Sequence, residues 1–239
     1  MCLLKFIELH NISCIGIFYY NNRVAQQRAL ACAGGRIIVN NGMELGNAPY
    51  GFAAAESVLN AEPEVDFVLG SIHNASEKLD YKDYYFVDYT DTDICYKYLD
   101  DYFIQLEKLV EWGNFDSLAH VPYPLRYMMQ RDGMDVDMAR YQSSIDSMLR
   151  TLIRRGQAIE INAGKKPYIM PEYAYLLDRY RALGGRLITV GTDAHSIPQF
   201  GMGLKEAYML ALEKGFESVA VFKRRKCELV SIRKLLALE

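Results

Sequence analysis

Short apolar runs recur along this chain, and several close on a polar, ligand-type side chain. Ser13–Phe18, Arg36–Met43, Phe67–Ile72, Phe115–Ala119, Ala158–Asn162 and Leu187–Val190 have the length and apolar content of buried strands. Between them lie stretches that predict helices over Arg23–Ala33, Phe52–Ala61, Ile94–Trp112, Ala139–Arg155 and Pro171–Leu183. Their ends carry stop signals: Gly34-Gly35, Pro63, Gly156 and Gly184 follow four of them, and Pro171 opens the last. A helix over Leu204–Lys214 and a hairpin over Ser218–Ile232 close the chain. Strands alternating with helices predict parallel βαβ units, and six such strands can be counted. No linker or low-complexity tract interrupts the pattern, so residues 1–239 are expected to form a single domain.

The chemistry sits where the runs end. Leu187-Ile188-Thr189-Val190 runs into Gly191-Thr192-Asp193-Ala194-His195, and Phe67–Ile72 runs into His73. Phe115–Ala119 runs into His120, and Ile37-Ile38-Val39 leads to Glu44. Three of the four histidines therefore stand at predicted strand ends. In an α/β barrel, C-terminal strand ends carry the active site. An aspartate and a histidine two residues apart at such an end can converge on one metal or one phosphate.

Composition narrows the function classes. The net charge is −3 and no Lys/Arg face has helical spacing, which gives no reason to expect nucleic acid. Lys223-Arg224-Arg225-Lys226 reads as a solvated hairpin tip. Five scattered cysteines without a Cys-x-x-Cys pair suit reduced thiols in a cytoplasm. No apolar stretch approaches the ~20 residues of a membrane span, and the first residues do not read as a signal peptide.

Five motifs in order resemble the PHP (polymerase and histidinol phosphatase) superfamily: Gly42-Met43-Glu44, Gly70-Ser71-Ile72-His73, Asp116-Ser117-Leu118-Ala119-His120, Glu160-Ile161-Asn162 and Gly191-Thr192-Asp193-Ala194-His195. Asn162-Ala163-Gly164-Lys165-Lys166-Pro167 and Ser196-Ile197-Pro198 resemble its histidinol-phosphatase branch. The resemblance implies a distorted seven-stranded (β/α) barrel around two or three divalent metals, with Zn, Mn or Fe suiting mixed imidazole and carboxylate ligands. It implies that Glu44, His73 and His120 make one metal position, with Asp193 and His195 serving the neighbouring metals and the catalysis. It also implies a cytoplasmic phosphatase that releases phosphate from L-histidinol phosphate in histidine biosynthesis. A PHP phosphoesterase with another substrate, such as a nucleotide, is the alternative within the family.

The chain also departs from the family's pattern. PHP proteins open with His-x-His on the first strand, and that motif occurs nowhere here. Tyr19-Tyr20 stand where the family has an aspartate and a histidine. The expectation is a barrel missing its first strand, from a truncated or decayed gene or a start placed too late, with fewer metals than the family holds. An inactive relic is the corresponding alternative. Two open sheet edges, on Ser13–Phe18 and Leu187–Val190, would then invite self-association. Arg126, Lys165 and Lys166 are candidate phosphate contacts. Glu160 and Asn162 share one face of their strand, which suits a binding or supporting role for each. The segment 80–102 interleaves seven tyrosines with seven aspartates and reads as an exposed insertion, or as an acidic, aromatic lid over a cationic small-molecule phosphate ester.

Overall fold

A computed structural model describes residues 14–18, 38–163 and 169–238. The predicted helix over Arg23–Ala33, Tyr19, Tyr20 and both candidate lysines, Lys165 and Lys166, lie outside the described residues.

Six strands form one sheet in sequence order: β1 Cys14–Phe18, β2 Ile38–Gly46, β3 Phe67–Ser71, β4 Ser117–Leu118, β5 Ala158–Asn162 and β6 Ile188–Gly191. Each pairs in parallel with the next. The sheet curls. Ser117 Oγ on β4 lies 2.8 Å from Thr189 Oγ1 on β6, with β5 between them. In a flat sheet those strands would stand about 10 Å apart. The curl turns one face inward and draws the C-terminal strand ends together, as a parallel barrel wall requires.

Helices α1 Phe52–Ala61, α2 Thr92–Trp112, α3 Gln142–Arg155, α4 Pro171–Ala182 and α5 Leu204–Glu213 follow the strands. The Asp91 side chain accepts a hydrogen bond from Ile94 N at 2.8 Å and caps α2, which therefore starts two residues before its first predicted position. Gly113 ends the same helix at φ 70°, a conformation that favours glycine. Cys95, Leu99, Tyr102, Phe103, Leu106, Leu109 and Val110 line its buried face, the helical spacing that its periodicity predicts. Ile159 and Ile161 of β5 join this core, while Glu160 and Asn162 take the opposite face and are also buried. Among the described residues, no helix is long and apolar enough to cross a membrane.

The hairpin of β7 Ser218–Lys223 and β8 Lys226–Ser231 packs against the N-terminal ends of the inner strands. Phe222 stacks on Phe67 with ring centres 5.0 Å apart. Its basic tip is exposed at Lys223, Arg224 and Lys226, as expected, but it is also tied down. Lys223 Nζ donates to Asp66 Oδ2 at 3.0 Å, and Arg225 Nε donates to Asp116 Oδ1 at 3.0 Å. Asp66 and Asp116 are both buried, so the tip supplies the cations their carboxylates need.

The tyrosine-rich segment also packs more deeply than an exposed insertion would. Tyr84, Tyr89 and Tyr102 are buried, and Tyr84 meets Tyr98 and Tyr102 edge-on. Tyr81, Tyr85 and Phe86 remain exposed.

Candidate metal centre

Glu44 stands on β2, His73 two residues beyond β3, and His120 two residues beyond β4. The curl brings all three to one point. His73 Nε2 lies 3.2 Å from His120 Nε2 and 3.2 Å from Glu44 Oε1. His120 Nε2 lies 3.3 Å from the same Glu44 oxygen. Ligands placed ~2.0–2.1 Å from a tetrahedral zinc are about 3.3 Å from one another, so the triangle has the edge length that a divalent metal demands. Two imidazoles and one carboxylate, with a fourth position left for water or substrate, are also a donor set suited to catalytic zinc. The residues present fit a metal.

Electrostatics support the same reading. Burial works to raise the Glu44 pKa, but hydrogen bonds and charge from His120 and His73 outweigh it and hold the carboxyl well below its usual range. Burial works to lower the His120 pKa, yet the Glu44 carboxylate beside it, with Glu160 beyond, holds it above the ordinary value. The site therefore concentrates negative charge on Glu44 and compensates it with a proton that a metal could replace.

A second tier fixes the first. The buried Glu160 accepts from His120 N at 2.9 Å and from Asn162 Nδ2 at 3.3 Å through Oε2. Burial pushes the Glu160 carboxyl up, opposed by His120 and its amide. The other oxygen, Oε1, leaves no room beside Gly191, where an added Cβ would meet it at 2.2 Å. Tyr123 packs against both imidazoles, with ring centres 5.1 Å from His73 and 4.9 Å from His120.

Arg126, Asn162 and Asp193 meet beside the triad. Arg126 Nη2 donates to Asn162 Oδ1 at 3.2 Å, and Arg126 Nη1 lies 3.8 Å from Asp193 Oδ2. Arg126 opens a π-helical turn, Arg126–Arg131, a rare form that concentrates at functional sites. Asp193 has φ 50°, a left-handed conformation that aspartate tolerates better than most residues. His195 stands further out. Its side chain is 68% exposed, and Nδ1 lies 2.8 Å from the Asp193 carbonyl oxygen. The structure thus gathers six of the predicted residues into two adjoining clusters, sets His195 at their edge, and leaves Lys165 and Lys166 undescribed.

Sequence reading did not find Asn47. Its side chain bonds the backbone at His73, and the only signal for it was an Asn-Ala-Pro turn directly after the predicted Glu44 strand. Tyr123 was missed as well, because an aromatic residue two positions before Leu125 reads simply as core.

Comparison with known proteins places these features in context. The model of the PHP domain matches residues 10–164. A Clostridium acetobutylicum protein named "probable histidinol-phosphatase" is 30% identical over 181 residues, which are 70% of this chain and 64% of that protein. A Lactococcus lactis histidinol-phosphatase is 29% identical over 125 residues, 52% of this chain and 46% of its own length. The matched stretches thus span about half to two-thirds of these relatives. Among solved structures, the Lactococcus lactis histidinol phosphate phosphatase in complex with zinc, L-histidinol and phosphate has a TM-score of 0.76 at 20% identity. That alignment covers 95% of this chain and 91% of the other.

Proposed function

The chain belongs to the PHP domain family, and we propose on that footing that it is a metal-dependent phosphomonoesterase that hydrolyses L-histidinol phosphate. The observation that carries this reading is the convergence of Glu44, His73 and His120 next to the Arg126–Asn162–Asp193 cluster. The names of the relatives supply the substrate, and the zinc in the Lactococcus lactis complex makes zinc the first metal to test.

Each residue then has a task. Glu44, His73 and His120 hold the metal, which when bound supplies Lewis-acid polarisation of a phosphoryl oxygen. Arg126 keeps its guanidinium oriented through Asn162 and turns its remaining donors to the phosphate oxygens, the fork geometry that suits that anion. Asp193 limits where the guanidinium can go. His195, anchored through Nδ1 with its side chain 68% exposed, can give a proton from Nε2 to the alkoxide that leaves as water adds to phosphorus. Lys165 and Lys166 are assigned to further neutralisation of the phosphate. Glu160 supports His120 from behind and stays out of the chemistry.

Metal analysis of the purified chain, by plasma mass spectrometry after dialysis, tests the ligand assignment. Wild type is expected to retain divalent metal, and Glu44→Ala and His120→Ala are each expected to lose it. Equal metal content in all three proteins would overturn the assignment.

A further inference from the structure

His73 sits beyond the end of β3, where the strand ladder no longer holds its backbone. Its ring nitrogen must nevertheless reach the same point as Glu44 and His120. The group that holds it comes from the neighbouring loop. Asn47 Oδ1 accepts hydrogen bonds from both His73 N, at 2.8 Å, and Asn74 N, at 3.1 Å. Asn47 Nδ2 donates to Asn74 Oδ1 at 2.8 Å, and Asn47 N donates to Ser71 O at 2.8 Å. One side chain thus clamps two successive amides, and its own backbone is fastened to the last residue of β3.

The clamp has further supports. Tyr50, in the same loop as Asn47, donates its hydroxyl to Asn74 O at 2.7 Å. Tyr84 N donates to His73 O at 3.0 Å. Asn47 adopts φ 62°, left-handed, which folds its carboxamide back toward the β3 loop. Asn47 lies three residues after Glu44, so β2 and its loop carry one triad member and the clamp on another.

We propose that Asn47 is a positioning residue that presents His73 to the metal and thereby sets metal affinity. The inference rests on reading Glu44, His73 and His120 as the metal site. It goes beyond that reading by assigning the affinity in part to a carboxamide that touches no metal. Outer partners that orient ligating side chains are worth about 10–100-fold in metal affinity.

The test is the zinc dissociation constant of the full chain, measured by competition with a chromophoric chelator. Asn47→Gly removes the carboxamide while glycine accepts the left-handed backbone without strain, and it should weaken zinc binding about 10–100-fold. Asn47→Asp keeps an acceptor oxygen for the two amides but loses the donor to Asn74 Oδ1, so it should lose less affinity than N47G. Arg225→Ala, which loosens the distant hairpin, serves as the stability control: it should lower the melting temperature and leave zinc affinity unchanged. Wild-type zinc affinity in N47G, or a loss in N47D as deep as in N47G, would overturn the proposal. Should N47G fail to fold, Asn47→Ala takes its place, since it also removes the carboxamide, and wild-type zinc affinity in that variant would overturn the proposal. Loss of affinity in His73→Ala with none in N47G removes only the role of Asn47. No zinc binding by wild type removes the metal site and this inference together.

Discussion

Glu44 and His120 hold each other in charged forms, and that mutual dependence makes the centre sensitive to pH. The His120 pKa lies above the ordinary histidine value because, against the effect of burial, Glu44 stabilises its proton. A metal must displace that proton before the ring nitrogen can ligate. Zinc affinity should therefore weaken as pH falls, and the weakening should begin above the ~6.5 of an unperturbed histidine. A titration of zinc affinity against pH checks this; an affinity that stays flat until well below pH ~6 would contradict it. Gly191 offers a separate test. Its missing Cβ makes room for Glu160 Oε1, so Gly191→Ala must push that buried carboxylate away from the His120 amide. The expected cost is about 1–3 kcal/mol of stability, as for other overpacked sites, together with weaker metal binding. An unchanged melting temperature and unchanged affinity would rule that out. The three triad residues were legible in the sequence because each follows an apolar run. Glu160 and Asn162 were legible as a shared face, since the period of two puts them together. Asn47 was not legible, because nothing in a local pattern shows which neighbouring loop its amide will reach.

The strands and most helix ends followed from alternation and stop signals, and the departures have local causes. The second strand runs on to Gly46 instead of ending at Met43, because its last residues still pair with β3. The fourth shrinks to Ser117–Leu118; before it, Asp116 still exchanges backbone bonds with Val68 and Ala158, and side chains add to them, as Asp116 Oδ2 accepts from Val68 N at 2.8 Å and Gln157 reaches the Phe115 carbonyl. The helix predicted from Ala139 begins at Gln142, after a 3-10 turn over Met138–Tyr141 that Asp137 caps through Ala139 N. The hairpin was predicted, but the service of its basic tip was not, since the partners Asp66 and Asp116 are over a hundred residues away in sequence. Arg225→Ala should cost about 1–3 kcal/mol, because it removes a charged partner from a buried carboxylate. Arg224→Ala should cost less, as Arg224 meets Asp66 through its backbone amide. Equal losses in urea unfolding would contradict the assignment. Asp66 adds a pH signature. Burial works to raise its pKa, but the Asn41 and Arg224 amides and Lys223 outweigh it and hold it below the ordinary value. Its contribution is therefore complete above the unfolded value of ~3.9 and is lost as pH falls through the lower folded value. The stability gap between wild type and Asp66→Asn should close over that window.

Across the molecule, the curl of a parallel sheet turns separate strand ends into one site. The hairpin covers the opposite ends, and the helices bury the outer face. The fold class was legible from the alternation of strand and helix, and the family from five motifs in order. The curvature that brings Glu44, His73 and His120 to 3.2–3.3 Å of one another was not, since it arises from packing across the whole sheet. The most direct test of the account is phosphate release from L-histidinol phosphate, measured on the chelator-stripped chain before and after zinc is returned, with His120→Ala alongside. The account predicts release by the zinc-loaded wild type, and release near background from both the stripped protein and the zinc-supplemented variant. Equal release by all three, or none from a wild type shown to hold zinc, would contradict it.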